Sequence, residues 1–168
     1  MKMLKKSVED LLNRQVKREG YSAILYLSMA SWAETQGYAG IAEWLYVQAE
    51  EEKMHMLKLI RFINEREGKA IIPSFDKPPA DFDSLKILFD QVLEHEKYIT
   101  SSINEIVAET NKENDFATHN WLQWFVSEQV EEESSVQTII DKLKLVGTHN
   151  LYMFDRDIMS MREEEDEE

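Results

Sequence analysis

Glu52 and His55 stand three residues apart, so on a helix a carboxylate and an imidazole project from one face. Alone, that pair is common and says little. Three further carboxylates change its weight. Glu19, Glu96 and Glu132 each interrupt an otherwise apolar stripe at helical spacing. The stripes read Leu12, Glu19, Tyr26, Ala33; then Leu45, Gln48, Glu52, His55, Leu59, Phe62; then Phe89, Val92, Glu96, Ile99, Ile103; then Leu122, Phe125, Gln129, Glu132, Val136, Ile139, Leu143. A carboxylate on a core-facing stripe is costly unless it is paired or bound to a metal. The 19 lysines and arginines mostly lie off these stripes, so a pair of divalent cations is the expected counter-charge. Hard oxygen donors with one nitrogen suit iron or manganese better than a structural zinc site. The acidic runs 50–52 and 131–133 would be ordinary solvated faces if Glu52 and Glu132 did not fall on apolar stripes.

Four long helices must carry these side chains. Periodicity predicts them over 5–36, 41–67, 84–111 and 115–146, with a short amphipathic fifth helix over 150–159. Gly37 and Gly40 end the first, Gly68 is the expected cap of the second, Ser84 the N-cap of the third, and Gly147 closes the fourth. The first and third connections are short and make antiparallel neighbours. The middle connection, 69–83, carries Pro73, Pro78 and Pro79. At about 3.3 Å per residue it reaches roughly 50 Å. A 27-residue helix is about 40 Å long. The second and third helices therefore run parallel, and the fold class is all-α: a four-helix up-down-down-up bundle with one long crossover and a short fifth helix. In that arrangement the four stripe interruptions fall in one layer. Residues 1–161 form one bundle domain, and 162–168 form an acidic tail expected to be disordered.

Composition agrees and excludes alternatives. Of 168 residues, only 5 are Gly and 3 Pro, which permits long helices. The net charge of −14 argues against nucleic acid and suits a protein that gathers cations. There is no Cys, so neither a disulfide framework nor a thiolate metal site is available. No stretch reads as a signal peptide or a membrane span, and a cytoplasmic address is expected.

The chain resembles the ferritin family, most of all the prokaryotic non-haem ferritins, over nearly its whole length. The resemblance rests on Glu19-Gly20-Tyr21-Ser22 with Tyr26, on the segment from Ala49 to Met56, and on the segment from Leu122 to Glu133. It implies that Glu19, Glu52 and His55 bind a first iron. Glu52 would bridge to a second, held also by Glu96 and Glu132 with Gln129 close by. It implies a third iron site at Glu51, Glu128 and Glu131, sharing Glu132. Tyr26 and Trp124 match aromatic positions beside the di-iron centre, where they would supply electrons or hydrogen bonds. The fourth helix offers Gln129-x-x-Glu132 where symmetric di-iron bundles carry a second Glu-x-x-His, which argues against a bacterioferritin or a rubrerythrin. In bacterioferritin a haem-ligating Met follows the bridging Glu. Here Lys53 does, so no haem is expected.

The function so implied is iron storage with ferroxidase activity: Fe(II) is oxidised by O₂ or H₂O₂ and kept as Fe(III) mineral in a homo-oligomeric shell of 24 subunits. Trp32, Trp44 and Tyr46 are the expected shell contacts. The alternative is a di-iron peroxide-reducing bundle that stores nothing. A third reading, a purely structural helical module, would need the four stripe carboxylates to face solvent. His95, His119 and His149 are expected at the surface, and Met29, Met54 and Met56 in packing or at an interface.

Overall fold

In a computed structural model, residues 4–163 are described, without the side chain of Glu163. Five helices follow one another: α1 (Lys6–Thr35), α2 (Ala39–Glu65), α3 (Leu85–Lys112), α4 (Phe116–Val146) and α5 (Leu151–Glu163). No strand occurs among the described residues. The directions follow from which residues meet. Gln15 meets Ser102 and Ser22 meets His95, so α1 and α3 are antiparallel. Gln48 meets Glu132 and Arg66 meets Asp115, so α2 and α4 are antiparallel as well. α1 packs on α2, and α3 on α4. The bundle is thus up-down-down-up, as the linker length requires.

The helix ends have local causes. Ser84 caps α3 by accepting a hydrogen bond from Ile87 N at 3.2 Å. Asp115 caps α4, accepting from Thr118 N at 3.1 Å, and also receives Arg66 from the end of α2 at 3.2 Å. The end of α2 differs from expectation. The left-handed residue is Glu67 (φ 59°), not Gly68. Gly68 instead lets the chain pass Ile63, whose carbonyl oxygen would lie 2.9 Å from any Cβ there.

The crossover lies along α1. Asn13 Oδ1 accepts from Ile71 N at 2.7 Å, and Ser28 Oγ donates to the Pro79 carbonyl at 2.6 Å. Between these two ties Phe75 sits over Gly20, where a Cβ would come 2.4 Å from the ring. A glycine next to Glu19 is therefore what allows the strap to close over the middle of the bundle.

α5 runs along α2. Asp155 Oδ1 accepts from Ile41 N at 2.9 Å, and a Cβ on Gly40 would strike the Asp155 carbonyl oxygen at 1.8 Å. The helix extends to Glu163, beyond the expected end at Met159, and it includes Arg162, which the sequence reading assigns to the tail. The remainder of that tail, 164–168, lies outside the described residues.

Two apolar clusters form the core. One gathers Tyr26, Met29, Ile41, Trp44, Leu45, Phe89, Val136 and Ile139; the other gathers Leu4, Leu12, Val16, Leu59, Ile63, Ile103, Leu122 and Phe125. The stripe-interrupting polar residues lie between them. Trp44 is buried against Phe89 in the first cluster, so it is not a surface contact. Trp32 and Tyr46 are only half-buried, and Trp32 packs edge-on to Phe82. The strongly exposed apolar side chains are instead Ile72, Phe116, Val130, Leu145 and Tyr152. For Trp44 the expectation failed because hydrophobic size alone does not say which side of a helix an aromatic residue takes.

Candidate metal centre

Each of the four bundle helices sends a carboxylate inward. Glu19 from α1, Glu52 from α2, Glu96 from α3 and Glu132 from α4 are all buried, and so are His55 and Gln129. Glu19, Glu52 and His55 bring one donor atom each to within 4.8 Å of one another. His55, Glu128 and Glu132 form a second such trio. His55 lies between the two. Its Nδ1 is 3.6 Å from Glu52 Oε2 and its Nε2 is 3.9 Å from Glu128 Oε1, both beyond hydrogen-bond reach.

The protein satisfies some of these atoms and leaves others bare. Gln15 Nε2 donates to Glu19 Oε1 at 2.8 Å, and Ser102 Oγ donates to Gln15 Oε1 to hold that amide in place. Gln48 Nε2 donates to Glu132 Oε2 at 2.6 Å. Tyr26 donates its hydroxyl proton to Glu96 Oε1, and Gln129 Nε2 donates to Glu96 Oε2 at 3.2 Å. The second oxygens of Glu19 and Glu52 and both nitrogens of His55 are buried with no hydrogen-bond partner. Buried polar atoms of native proteins are nearly always satisfied. One donor atom each from Glu19, Glu52 and His55, clustered within 4.8 Å, fits a divalent cation, and carboxylate with imidazole is a donor set that iron accepts.

The charges report the same crowding. Burial first, then the charges of Glu96, Glu19 and Glu132, push the Glu52 carboxyl well above the ordinary carboxylate range. Burial, then Glu96 and Glu51, does the same to Glu132. Glu96 is pushed up to about 7, because burial outweighs the hydrogen bonds it accepts from Tyr26 and Gln129. Burial raises Glu128 as well. Burial and the neighbouring carboxylates raise the Tyr26 hydroxyl well above 10, so it stays a donor.

The remaining residues singled out from the sequence lie to one side. Glu51 and Glu128 are half-buried and Glu131 is exposed. With Gln48, Glu132, Ser135 and Arg162 they line a cavity of about 80 Å³. Trp124 lies beside the imidazole. Its ring lies edge-on to His55 at 5.4 Å between centroids, and Lys58 Nζ sits 3.3 Å above it. His95 departs from expectation. It is half-buried, 2.7 Å from Ser22 Oγ, and burial lowers it to about 4. Ser22 Oγ donates to the Arg18 carbonyl, so His95 Nε2 is the donor to Ser22. His119 is half-buried and His149 exposed.

Sequence reasoning passes over Gln15, Ser102 and Arg162. A signal exists for Gln15: it stands four residues before Glu19, as Gln48 stands four before Glu52, so each amide shares a helix face with a carboxylate. Ser102 and Arg162 meet their partners only through tertiary packing.

A one-crossover bundle with inward carboxylates from four helices around an imidazole defines a protein of the di-metal carboxylate class. Comparison with known proteins narrows this. The ferritin-like domain family matches residues 9–146. A probable bacterial non-heme ferritin-like protein of Haemophilus influenzae is 43% identical over 93% of this chain and 96% of its own. A bacterial non-heme ferritin of Campylobacter jejuni is 42% identical over 95% and 96%. The crystal structure of an open-pore ferritin from the hyperthermophilic archaeon Archaeoglobus fulgidus superposes with a TM-score of 0.91, at 42% identity over 94% of this chain and 98% of that one. The chain belongs to the ferritin family.

The hydrogen bonds lead to an expectation of unequal occupancy by any cations bound at this centre. Glu19 Oε2, Glu52 Oε2 and the His55 nitrogens are bare, whereas both oxygens of Glu96 already accept hydrogen bonds, from Tyr26 and Gln129. Crystals soaked with less than one metal per chain should give their strongest anomalous peak at about 2.0–2.2 Å from His55 nitrogen. A stronger peak beside Glu96 would show that this ranking is wrong.

Proposed function

We propose that this iron-storage protein is a ferroxidase, and that its buried centre oxidises Fe(II) with O₂ or H₂O₂ before Fe(III) passes to a mineral inside a 24-subunit cytoplasmic shell. The observation that carries the reading is the set of bare donor atoms on Glu19, Glu52 and His55. Fe(II) is the substrate. Two Fe(II) held by Glu19, Glu52, His55, Glu96 and Glu132 give up one electron each. O₂ takes both electrons and two protons and leaves as H₂O₂; alternatively H₂O₂ takes both and, with two protons, leaves as two waters. Anionic oxygen ligands favour Fe(III) over Fe(II), because the harder and more highly charged ion gains more from them.

Glu51, Glu128 and Glu131, with Glu132, supply a third position on the way out of the centre. Gln129 orients Glu96 as a donor of hydrogen bonds. Tyr26 is better placed than Trp124 to lend an electron, since its proton has Glu96 to receive it, while the Lys58 ammonium opposes positive charge on the indole. Haem has no role in this scheme: Lys53 is exposed, pairs with Glu50 at 3.2 Å and offers no thioether. The peroxide-reducing bundle is not favoured, because α4 presents Gln129 where a second Glu-x-x-His would start.

The test is native mass spectrometry of the purified protein joined to an iron assay. A particle of 24 copies of the 19.8 kDa chain that retains far more iron than its centres can bind is the expected result. An iron-loaded dimer would favour the non-storing reading. An iron-free monomer would remove both.

A further inference from the structure

Arg162 is the last basic residue of the chain, and α5 delivers it to the edge of the metal centre. Its Nη1 donates to Glu51 Oε1 at 2.7 Å and its Nη2 to Gln48 Oε1 at 2.6 Å. The guanidinium also lies 5.1 Å from the centroid of the Trp44 ring, and the side chain is 15% exposed. It borders the small cavity lined by Glu51, Glu128, Glu131 and Glu132. From the other side of that group, the buried His55 Nε2 faces Glu128 with no hydrogen-bond partner of its own. One permanent positive charge therefore stands where this acidic cluster would otherwise be open to a cation.

We propose that Arg162 is a built-in competitor for iron at the third position, so that docking of the α5 end and filling of that position exclude each other. The proposal rests on the reading of Glu51, Glu128, Glu131 and Glu132 as a metal position. A cation bound there needs the Glu51 carboxylate that Arg162 engages. Two like charges cannot share that oxygen in a partly buried setting at low cost. Arg162 acts inward too. By accepting from Nη2, the Gln48 carbonyl is turned toward α5, which points the Gln48 amide nitrogen at Glu132 Oε2, 2.6 Å away. Glu132 is the carboxylate that the second and third positions share. When iron displaces Arg162, the Gln48 amide loses its orienting partner and Glu132 is released to turn toward the third position. Arg162 is thus a positioning residue: it favours retention in the inner pair until a third cation arrives, then yields to it.

Linkage makes the effect reciprocal: if α5 docking weakens the third cation, the third cation must loosen α5 by the same factor. The full-length apo-protein, titrated with Zn²⁺ as a redox-inert cation, is compared with Arg162→Gln, Arg162→Lys and Glu51→Gln. Hydrogen exchange of 151–163 is followed in parallel. The weakest of three binding steps should tighten on the order of tenfold in Arg162→Gln, with the first, at Glu19, Glu52 and His55, unchanged. Arg162→Lys should tighten it less, because an ammonium keeps the charge but cannot span both acceptors. In the native protein, exchange in α5 should quicken only as the third equivalent binds. A third step that Glu51→Gln abolishes but that stays within twofold in Arg162→Gln would overturn the proposal and leave the metal position standing. A third step that weakens in Arg162→Gln would equally overturn it. No third step in any form of the protein would remove the metal position itself, and the proposal with it.

Discussion

Glu52→Ala lowers the rate of Fe(II) oxidation by about 100-fold or more while the helix content stays native. Losing even an outer-shell partner costs a metal site 10- to 100-fold, and Glu52 is an inner donor. It is also the carboxylate proposed to join the two irons. Without it Glu19 and His55 remain on one side and Glu96 and Glu132 on the other, with no shared oxygen between them. Two separated irons deliver electrons singly, so the two-electron reduction is lost even where each iron still binds. The fold should not suffer. Glu52 is buried beside Glu19 and its Oε2 has no hydrogen-bond partner, so loss of that oxygen strands no donor. Removing one of several crowded carboxylates should raise the melting temperature of the apo-protein. Stopped-flow oxidation in Glu52→Ala within twofold of native would take the centre out of the reaction.

Acidifying the apo-protein from pH 8 to pH 5.5 stabilises it, the reverse of the usual behaviour of paired carboxylates. Glu52, Glu96 and Glu132 all have folded-state values raised above the ordinary 4.5, chiefly by burial. A raised acid binds its proton more tightly in the folded state. Its contribution is therefore complete below about 4.5 and is lost as pH rises through the folded value. For Glu96, at about 7, the loss amounts to about 3 kcal/mol in all. About 2 kcal/mol of that is recovered between pH 8 and pH 5.5, roughly 4–8 °C in melting temperature for a chain of this size. Glu52 and Glu132 add to the same trend. A divalent cation at pH 8 replaces the protons, so it should restore the stability and release protons as it binds. Calorimetry of the metal-free protein at the two pH values checks this. A lower melting temperature at pH 5.5 would mean that the carboxylates are not crowded in the apo state.

The carboxylate layer is legible in the sequence because an apolar stripe is a strict background. Glu19, Glu96 and Glu132 stand out against neighbours three and four residues away, and each helix supplies its own register. The connectivity is legible because 69–83 is too long for a turn and rich in proline. What escapes is decided by contacts between distant segments. Nothing local to Arg162 says that α5 will lie along α2 and bring it to Glu51. His95 reads as a surface residue because its neighbour Glu96 takes the inward direction; its partner Ser22 belongs to another helix. Gly68 looks like a helix cap and is needed for clearance instead, since the left-handed turn falls on Glu67. Trp44 reads as an interface residue because its size is visible and its burial is not.

The polar layer between the two apolar clusters also governs how this chain can vary in length. An α-helix turns about 100° per residue, so one insertion on either side of the layer rotates every residue beyond it out of line. In α1 such an insertion between Leu12 and Glu19 would turn the carboxylate away from His55 or turn Val8 and Leu12 away from the core. The same holds in α2, α3 and α4, because all four are anchored twice, once by apolar packing and once at the buried carboxylate layer. The four helices behave like meshed gears, and freedom to gain or lose residues is confined to the connections and the ends.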